Sequence, residues 1–233
     1  MMTYNKNNPL RVFEAFGGYG SQSMALKRLK RDFPDFDFIV VGYSDIDKRA
    51  IKAYNALHAD EHITNYGDIC KIDWQYVPDF DLFTYSFPCT DVSSAGQQRG
   101  LAKDSGTRSS LLWECERAID IKRPKYLLME NVKALVSDKF IKYYHEWLTL
   151  LDTKYNYASF SQVLNAKNYG VPQNRERIFC VSILREQEEP RFFFPQPFNL
   201  KKLLKDVLED VVDEKYYLSD ERVQEIFENG GAE

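Results

Sequence analysis

Two hydrophobic patterns take turns along the chain: short continuous apolar runs, as in buried strands, and apolar positions three and four apart, as on one face of a helix. The first run, residues 10–16 (LRVFEAF), passes directly into Gly17, Gly18, Tyr19 and Gly20, and Met24, Ala25, Leu26 and Leu29 then carry helical spacing from Ser21. This predicts strand, glycine turn, helix. A second buried run, residues 38–43 (FIVVGY), ends at Ser44, Asp45, Ile46 and Asp47 and is followed by a helical stretch over residues 50–57. Residues 65–69 (NYGDI) predict a third short strand and turn. Alternation of this kind, strand with helix, predicts an α/β fold with a largely parallel sheet.

Residues 81–87 form an apolar, aromatic run that stops at Pro88, presents Cys89 and opens into a polar loop ending at Arg99 and Gly100. Pro88 fixes its own φ and biases Phe87 toward extended backbone, so the thiol is carried on a stiff support. Ligands of open α/β sheets sit outside the carboxyl ends of the strands. Cys89 is therefore a candidate nucleophile, with a small core hydrophobe as the alternative, and a nucleophile needs an activating partner. After a helix over residues 111–121, residues 125–129 (KYLLM) predict a buried strand that delivers Glu130, Asn131 and Val132 at its end. Glu130 is the candidate partner.

Residues 140–151 predict an amphipathic helix, and residues 157–164 and 178–184 an antiparallel pair closing the sheet around a turn at Tyr169, Gly170, Val171 and Pro172. Before the last strand stand Gln173, Asn174, Arg175, Glu176 and Arg177. Two arginines at i and i+2 on a strand share a face, where they can hold a carbonyl or a phosphate. Beyond Pro190 the chain turns aromatic and proline-punctuated over residues 192–198. Leu203, Leu204, Val207, Leu208 and Val211 then predict a helix covering the sheet, and Ser219 the cap of a short one.

Composition narrows the chemistry. The 233 residues, 44% apolar and 28% charged, suit a soluble globular protein. Four cysteines show no C-x-x-C spacing, and the stretch HADEH (His58 to His62) is not a zinc motif, so a solvated helix face and no metal are expected there. No signal-peptide pattern opens the chain and no apolar run approaches the length of a membrane span, so a cytoplasmic protein without a membrane partner is expected. A net charge of -4 argues against binding nucleic acid through a bulk positive field, and the cluster Lys27, Arg28, Lys30, Arg31 reads as a solvated helix face. Ser23 stands where the dinucleotide fingerprint needs glycine, which disfavours a nicotinamide cofactor. A nucleoside cofactor bearing a carboxylate fits better, with Asp45 and Asp68 at strand ends as its candidate contacts.

Placed in order, these pieces resemble the catalytic part of the C5-cytosine DNA methyltransferases. The resemblance rests on Phe16, Gly18 and Gly20 as F-x-G-x-G; Asp45; Gly67, Asp68 and Ile69; Pro88 and Cys89; Glu130, Asn131 and Val132; and Gln173, Arg175 and Arg177 as Q-x-R-x-R. It spans residues 11–183. It implies a Rossmann-like fold with a seven-stranded, mostly parallel sheet and an antiparallel last hairpin, S-adenosylmethionine as methyl donor, and double-stranded DNA as substrate. Phe16, Gly18, Tyr19, Gly20, Asp45, Ile46, Asp68, Ile69 and Leu111 match positions of the family's cofactor pocket, and Cys89 its nucleophile. By the same resemblance Glu130, Arg175 and Arg177 act on the cytosine, and Pro88, Ser93 and Asn131 contact substrate.

Two departures qualify the match. Thr90 follows the Pro-Cys where the family commonly has glutamine, and no counterpart of the target-recognition region or the last motifs is visible. Residues 1–189 are accordingly expected to form the cofactor-binding catalytic domain, and residues 190–233 a linker and helical segment leading toward a missing recognition domain. The missing part belongs either to a longer chain or to a complementing subunit, and weak activity is expected from this chain alone. An RNA cytosine methyltransferase and a non-catalytic S-adenosylmethionine-binding subunit are the alternatives; the host setting, bacterial or viral, and any link to restriction are left open.

Overall fold

The strand the sequence places first lies inside the sheet: β1 (Leu10–Ala15) is hydrogen-bonded on one side to β2 (Phe38–Ser44) and on the other to β3 (Leu82–Tyr85), both parallel. A computed structural model describes residues 4–88 and 108–228. Five of the six residues of β1 are buried, as a strand covered on both faces requires. The exception, Arg11, forks onto Asp81 through Nη2 to Oδ1 (2.8 Å) and Nε to Oδ2 (3.0 Å), pinning the start of β1 to the entry of β3. β4 (Tyr126–Val132) continues the parallel set, and β6 (Glu176–Leu184) and β5 (Tyr157–Asn165) close it antiparallel. The order is β2-β1-β3-β4-β6-β5.

Parallel strands with an antiparallel end meet the sequence expectation, but among the described residues the sheet has six strands, where seven were expected. The lost strand is the segment around Asn65, which makes one isolated bridge, to Tyr43. Gly67 at φ 71° turns the chain away, and the Asp68 carboxylate accepts the Cys70 amide to start a 3-10 turn at Ile69–Lys71. Polar residues here satisfy the backbone locally and end the ladder.

The helices fall where the spacing placed them. These are α1 (Ser21–Asp32), α2 (Lys48–Leu57), α3 (Leu112–Lys122) and α4 (Ile141–Thr153). Asp47 caps α2, its Oδ1 accepting the amides of Arg49 (2.7 Å) and Ala50 (3.2 Å). The main core is aromatic: Phe13, Trp74, Phe80 and Phe83 pack edge to face and tilted, and Tyr85 meets Trp147 of α4, whose indole N–H donates to the Tyr85 hydroxyl at 3.1 Å. Cys115 and Cys180 lie inside this core as small hydrophobes, the Cys115 thiol pushed up by burial.

The chain divides into two units, residues 1–165 with 175–196 and residues 166–174 with 197–233. In the second, the predicted helix over residues 203–211 is replaced by one 3-10 turn, Leu204–Val207, and Leu203, Leu204, Val207, Leu208 and Val211 are all exposed. The Asp206 carboxylate turns back to accept the Leu203 amide at 2.8 Å, which caps the start of this one turn, and the exposed apolar side chains provide no packing to extend it. Ser219 does precede a helix, α5 (Asp220–Glu228), and its hydroxyl accepts the Arg222 amide at 3.3 Å. No helix among the described residues is long and apolar enough to cross a membrane.

Candidate active site

The carboxyl ends of β1 to β4 all open on one edge of the sheet, so the segments following them share it. After β1 the backbone is left-handed at Phe16 (φ 55°), Gly18 (φ 59°) and Gly20 (φ 80°). For Phe16 that conformation carries strain, of the kind concentrated at functional sites. The turn is closed by Gly20 N–H donating to Gly17 O at 2.8 Å, and Gly17 N–H donates to Ser44 O of β2 at 3.0 Å. Asp45 reaches across to it, Oδ2 accepting the Gly18 amide at 2.9 Å while Oδ1 accepts the Asp47 amide at 2.8 Å. The motif residues Gly18 and Asp45 are therefore in contact.

A residue that sequence reasoning missed holds the next piece. The Asn65 side chain accepts the amides of Asp45 (3.2 Å) and Gly67 (2.9 Å) and donates to Asp45 O (3.0 Å), stitching the end of β2 to the Gly67–Asp68 turn. Ser44 Oγ adds a bond to Gly67 O at 2.8 Å. Asparagine ahead of Tyr-Gly-Asp, a common turn composition, was the available signal. Arg117 of α3 supports the following segment, donating to Cys70 O (3.1 Å) and Ile72 O (3.0 Å).

Beneath the turn lies a second omission. Glu14 is fully buried on β1, and its carboxylate accepts the Ser23 amide (2.9 Å), the Ser23 hydroxyl (2.5 Å) and the Tyr54 hydroxyl (2.6 Å). Gly20 offers α1 no side-chain cap, and Glu14 supplies one from the neighbouring strand. Burial, with the Glu14 carboxylate adding to it, pushes the Tyr54 phenol far above the ordinary tyrosine range, so it remains a donor. Ser23, which spoils the dinucleotide fingerprint, is thus committed to a buried carboxylate.

The turn leaves room for a ligand. A Cβ built on Gly18 or on Gly67 would meet no atom within 4 Å. Tyr19 and Ile46 are exposed at 53% and 68%, apolar surface beside acceptors, which is the mixed lining a nucleoside needs. Asp68 caps its turn through Oδ1, Leu111 is half-buried against the core, and the side chain of Ile69 is buried in the core.

On the substrate side, β4 alternates strictly between buried and partly buried positions, so Met129 and Asn131 are buried on one face while Glu130 and Val132 lie on the other. Glu130 and Asn131 thus lie within the strand, which runs on to Val132, and serve opposite faces. Asn131 Nδ2 donates to the Phe87 carbonyl at 3.1 Å, tying β4 to the residue two before Cys89. Gln22 of α1 donates to Ser86 Oγ at 3.1 Å, tying the glycine-turn helix to the same segment. On the other face Arg177 Nε stands 3.2 Å from Glu130 Oε1; Arg177 pairs with Val132 in the ladder, so the contact is diagonal. Arg175 precedes β6, its amide donating to Asn165 Oδ1 at 3.2 Å. The two arginines predicted to share a strand face are divided, one inside the strand and one before it. Cys89 and Ser93 lie outside the described residues, and Pro88 is half-buried.

His58 corrects the sequence reading of a solvated face. It is buried, stacked on Tyr54 with centroids 4.4 Å apart. Among the described residues no group of histidine, cysteine and acidic side chains is placed to hold a metal ion.

A family model described as C-5 cytosine-specific DNA methylase matches residues 10–231. Among curated relatives, the type II methyltransferase M2.ScrFI of Lactococcus lactis subsp. cremoris is 40% identical over 93% of this chain and 72% of its own length. The orphan methyltransferase M.SssI of Spiroplasma monobiae is 32% identical over 92% and 69%. Among solved structures, a mutant DNMT2 of Spodoptera frugiperda superposes with a TM-score of 0.69 at 22% identity, covering 88% of this chain and 61% of that one. The Dnmt2 methyltransferase of S. pombe gives 0.68 at 20% identity, over 94% and 66%. These last two likenesses are of fold.

Proposed function

Since the chain belongs to the C-5 cytosine-specific DNA methylase family, we propose that it transfers a methyl group from S-adenosylmethionine to C5 of a cytosine flipped out of DNA. The observation that carries this reading is the Asn131 bond to the Phe87 carbonyl, which couples the strand bearing Glu130 to the segment that leads into Pro88 and Cys89. Residues 1–189 form the catalytic part in this reading, and residues 190–233 lead toward target recognition.

The cofactor would sit in the cradle left open at Gly18 and Gly67, with Asp45 and Asp68 toward its polar groups and Tyr19 and Ile46 against its flat apolar part. Phe16, Gly20, Ile69 and Leu111 complete the proposed pocket by backbone or packing. When bound, S-adenosylmethionine supplies an electrophilic sulfonium methyl group.

The residues of the chain must make a poor nucleophile, cytosine C5, reactive. The Cys89 thiolate adds to C6, and the electron pair of the C5–C6 double bond moves toward C5 and N3. Glu130 holds the N3 and amino edge, where charge changes as the thiolate adds. Arg177 fixes the Glu130 carboxylate from the side and, with Arg175, faces O2 or a flanking phosphate. Once C5 has taken the methyl group and so carries both methyl and hydrogen, a base takes the C5 proton, its electron pair re-forms the C5–C6 double bond, and the thiolate leaves. A free thiol, with a pKa of about 8.5, is only a few per cent ionised at neutral pH, so the pocket must favour the anion as attack proceeds. Flipping costs a few kcal/mol, which contacts from Pro88 and Ser93 would offset, while Asn131, buried and bonded to the Phe87 carbonyl, supports the segment leading to Cys89 and does not touch the base itself.

The test is incorporation of a tritiated methyl group into duplex DNA and, separately, into transfer RNA. The expected result is transfer to DNA, abolished by Cys89→Ser. Transfer to RNA alone, or S-adenosylmethionine binding untouched by Cys89→Ser with no transfer to any substrate, would overturn it.

A further inference from the structure

Behind the glycine turn the chain holds a histidine that the proposed chemistry does not use. The His58 side chain is 1% exposed, and its two ring nitrogens face different partners: Nδ1 stands 3.0 Å from Lys27 Nζ, and Nε2 stands 3.3 Å from the main-chain oxygen of Tyr19. A lysine ammonium only donates, so Nδ1 must accept, and the ring proton must then sit on Nε2. That leaves Nε2–H to donate to Tyr19 O. Lys27 is itself paired with Glu61, whose Oε1 lies 3.7 Å from Nδ1. A chain of polar contacts thus runs from an ion pair at the surface, through one neutral imidazole, to the middle of the turn.

The ring has little freedom to leave. Tyr43, Tyr54 and His58 stack in series, at 3.8 Å and 4.4 Å between centroids, and the hydroxyl of Tyr54 is held by buried Glu14. Gly20 lies directly over this stack: a Cβ there would collide with His58 Nε2 and come within 2.9 Å of Tyr54 Cε2. These two rings thus back Gly20, and one of them also reaches the Tyr19 carbonyl.

We propose that His58, fixed as the Nε2–H tautomer by Lys27, is a positioning residue that holds the Tyr19 carbonyl and so keeps the glycine turn in its ligand-ready conformation. The inference rests on the cofactor reading for its consequence and on the hydrogen bonds for its mechanism, and the two are separable by experiment. It predicts a change in cofactor affinity and none in the rate of the chemical step.

The test combines nitrogen-15 NMR of the free chain with binding of S-adenosylhomocysteine and methyl-transfer kinetics. His58 should show the Nε2–H tautomer, and Lys27→Met should shift the ring toward a tautomer mixture. His58→Leu should weaken S-adenosylhomocysteine binding and raise the KM for the donor about three- to tenfold, the worth of one hydrogen bond, with kcat unchanged at saturation. His58→Gln, whose amide can still donate from the Nε2 position, should stay within about twofold of the parent. An Nδ1–H tautomer in the parent chain overturns the proposal, as does equal loss of binding in the glutamine and leucine variants. If the parent chain binds no S-adenosyl compound yet shows the Nε2–H tautomer and its dependence on Lys27, the cofactor reading fails and the positioning of the turn stands.

Discussion

Arg177 Nε lies 3.2 Å from Glu130 Oε1, a diagonal contact between two antiparallel strands that fixes a carboxylate on the face of β4 opposite Asn131. Both side chains keep about a fifth of their surface exposed, so the pair is open to a ligand from outside. Its value lies in direction: the carboxylate is held at the strand end by a guanidinium that cannot lose its charge.

Removing the carboxylate should cost activity far more than stability. Glu130→Gln should lower turnover about a hundredfold or more while the thermal midpoint stays near that of the parent, because a partly exposed ion pair contributes at most about 1 kcal/mol. Arg177→Leu should also cut turnover and leave cofactor binding intact. Steady-state kinetics beside a melting curve checks both.

Asn131 should behave oppositely. Its bond to Phe87 O is buried, and Asn131→Ala strands that carbonyl, so unfolding in urea should require about 1–3 kcal/mol less. An unchanged urea midpoint would mean that β4 and the Phe87 segment are not coupled through this bond.

The two glycines of the turn should separate binding from folding. Gly18→Ala places a methyl group in open space at φ 59°, so it should lower stability by about 1–2 kcal/mol and occlude the cradle, abolishing S-adenosylmethionine binding. Gly20→Ala drives a methyl group into His58 and Tyr54 and should lower the melting temperature further. Calorimetry on the two variants ranks them.

Asp47 carries a pH signature. The amides of Ala50 and Arg49 hold its carboxyl below the usual carboxylate range, so its folded pKa is depressed. The stability it contributes is therefore present above the ordinary aspartate value of about 3.9 and is lost as pH falls through the lower folded value. Asp47→Ala should melt below the parent at neutral pH, with the gap closing in acid as the carboxylate is protonated.

Much of this was legible because each strand of the parallel set is a continuous apolar run and each helix an amphipathic one, so the order of elements follows from periodicity alone. The strand around Asn65 was misread because hydrophobic pattern says nothing of side chains that satisfy the backbone themselves, as Asn65 and Asp68 do. The helix over residues 203–211 has the right spacing and lacks the burial that spacing assumes, so only the one turn capped by Asp206 forms. Glu14 went unremarked and His58 was read as solvated for a related reason. An acid inside an apolar run and a histidine in a charged stretch are read as surface, and only the three-dimensional neighbours, Ser23, Tyr54 and Lys27, make them tenable inside. The contact between Gly18 and Asp45 was within reach of the sequence because a glycine turn and a strand-end acid have local causes.

The central claim is that Cys89 is the nucleophile acting on the cytosine ring. Duplex DNA carrying 5-fluorocytosine, incubated with S-adenosylmethionine under conditions in which unmodified DNA takes up methyl groups, tests it most directly, because the fluorine cannot leave as a proton does and the covalent adduct persists. Peptide mapping should find one DNA-linked cysteine, Cys89. A link at Cys70, or methylation of cytosine without any trapped adduct, would contradict it.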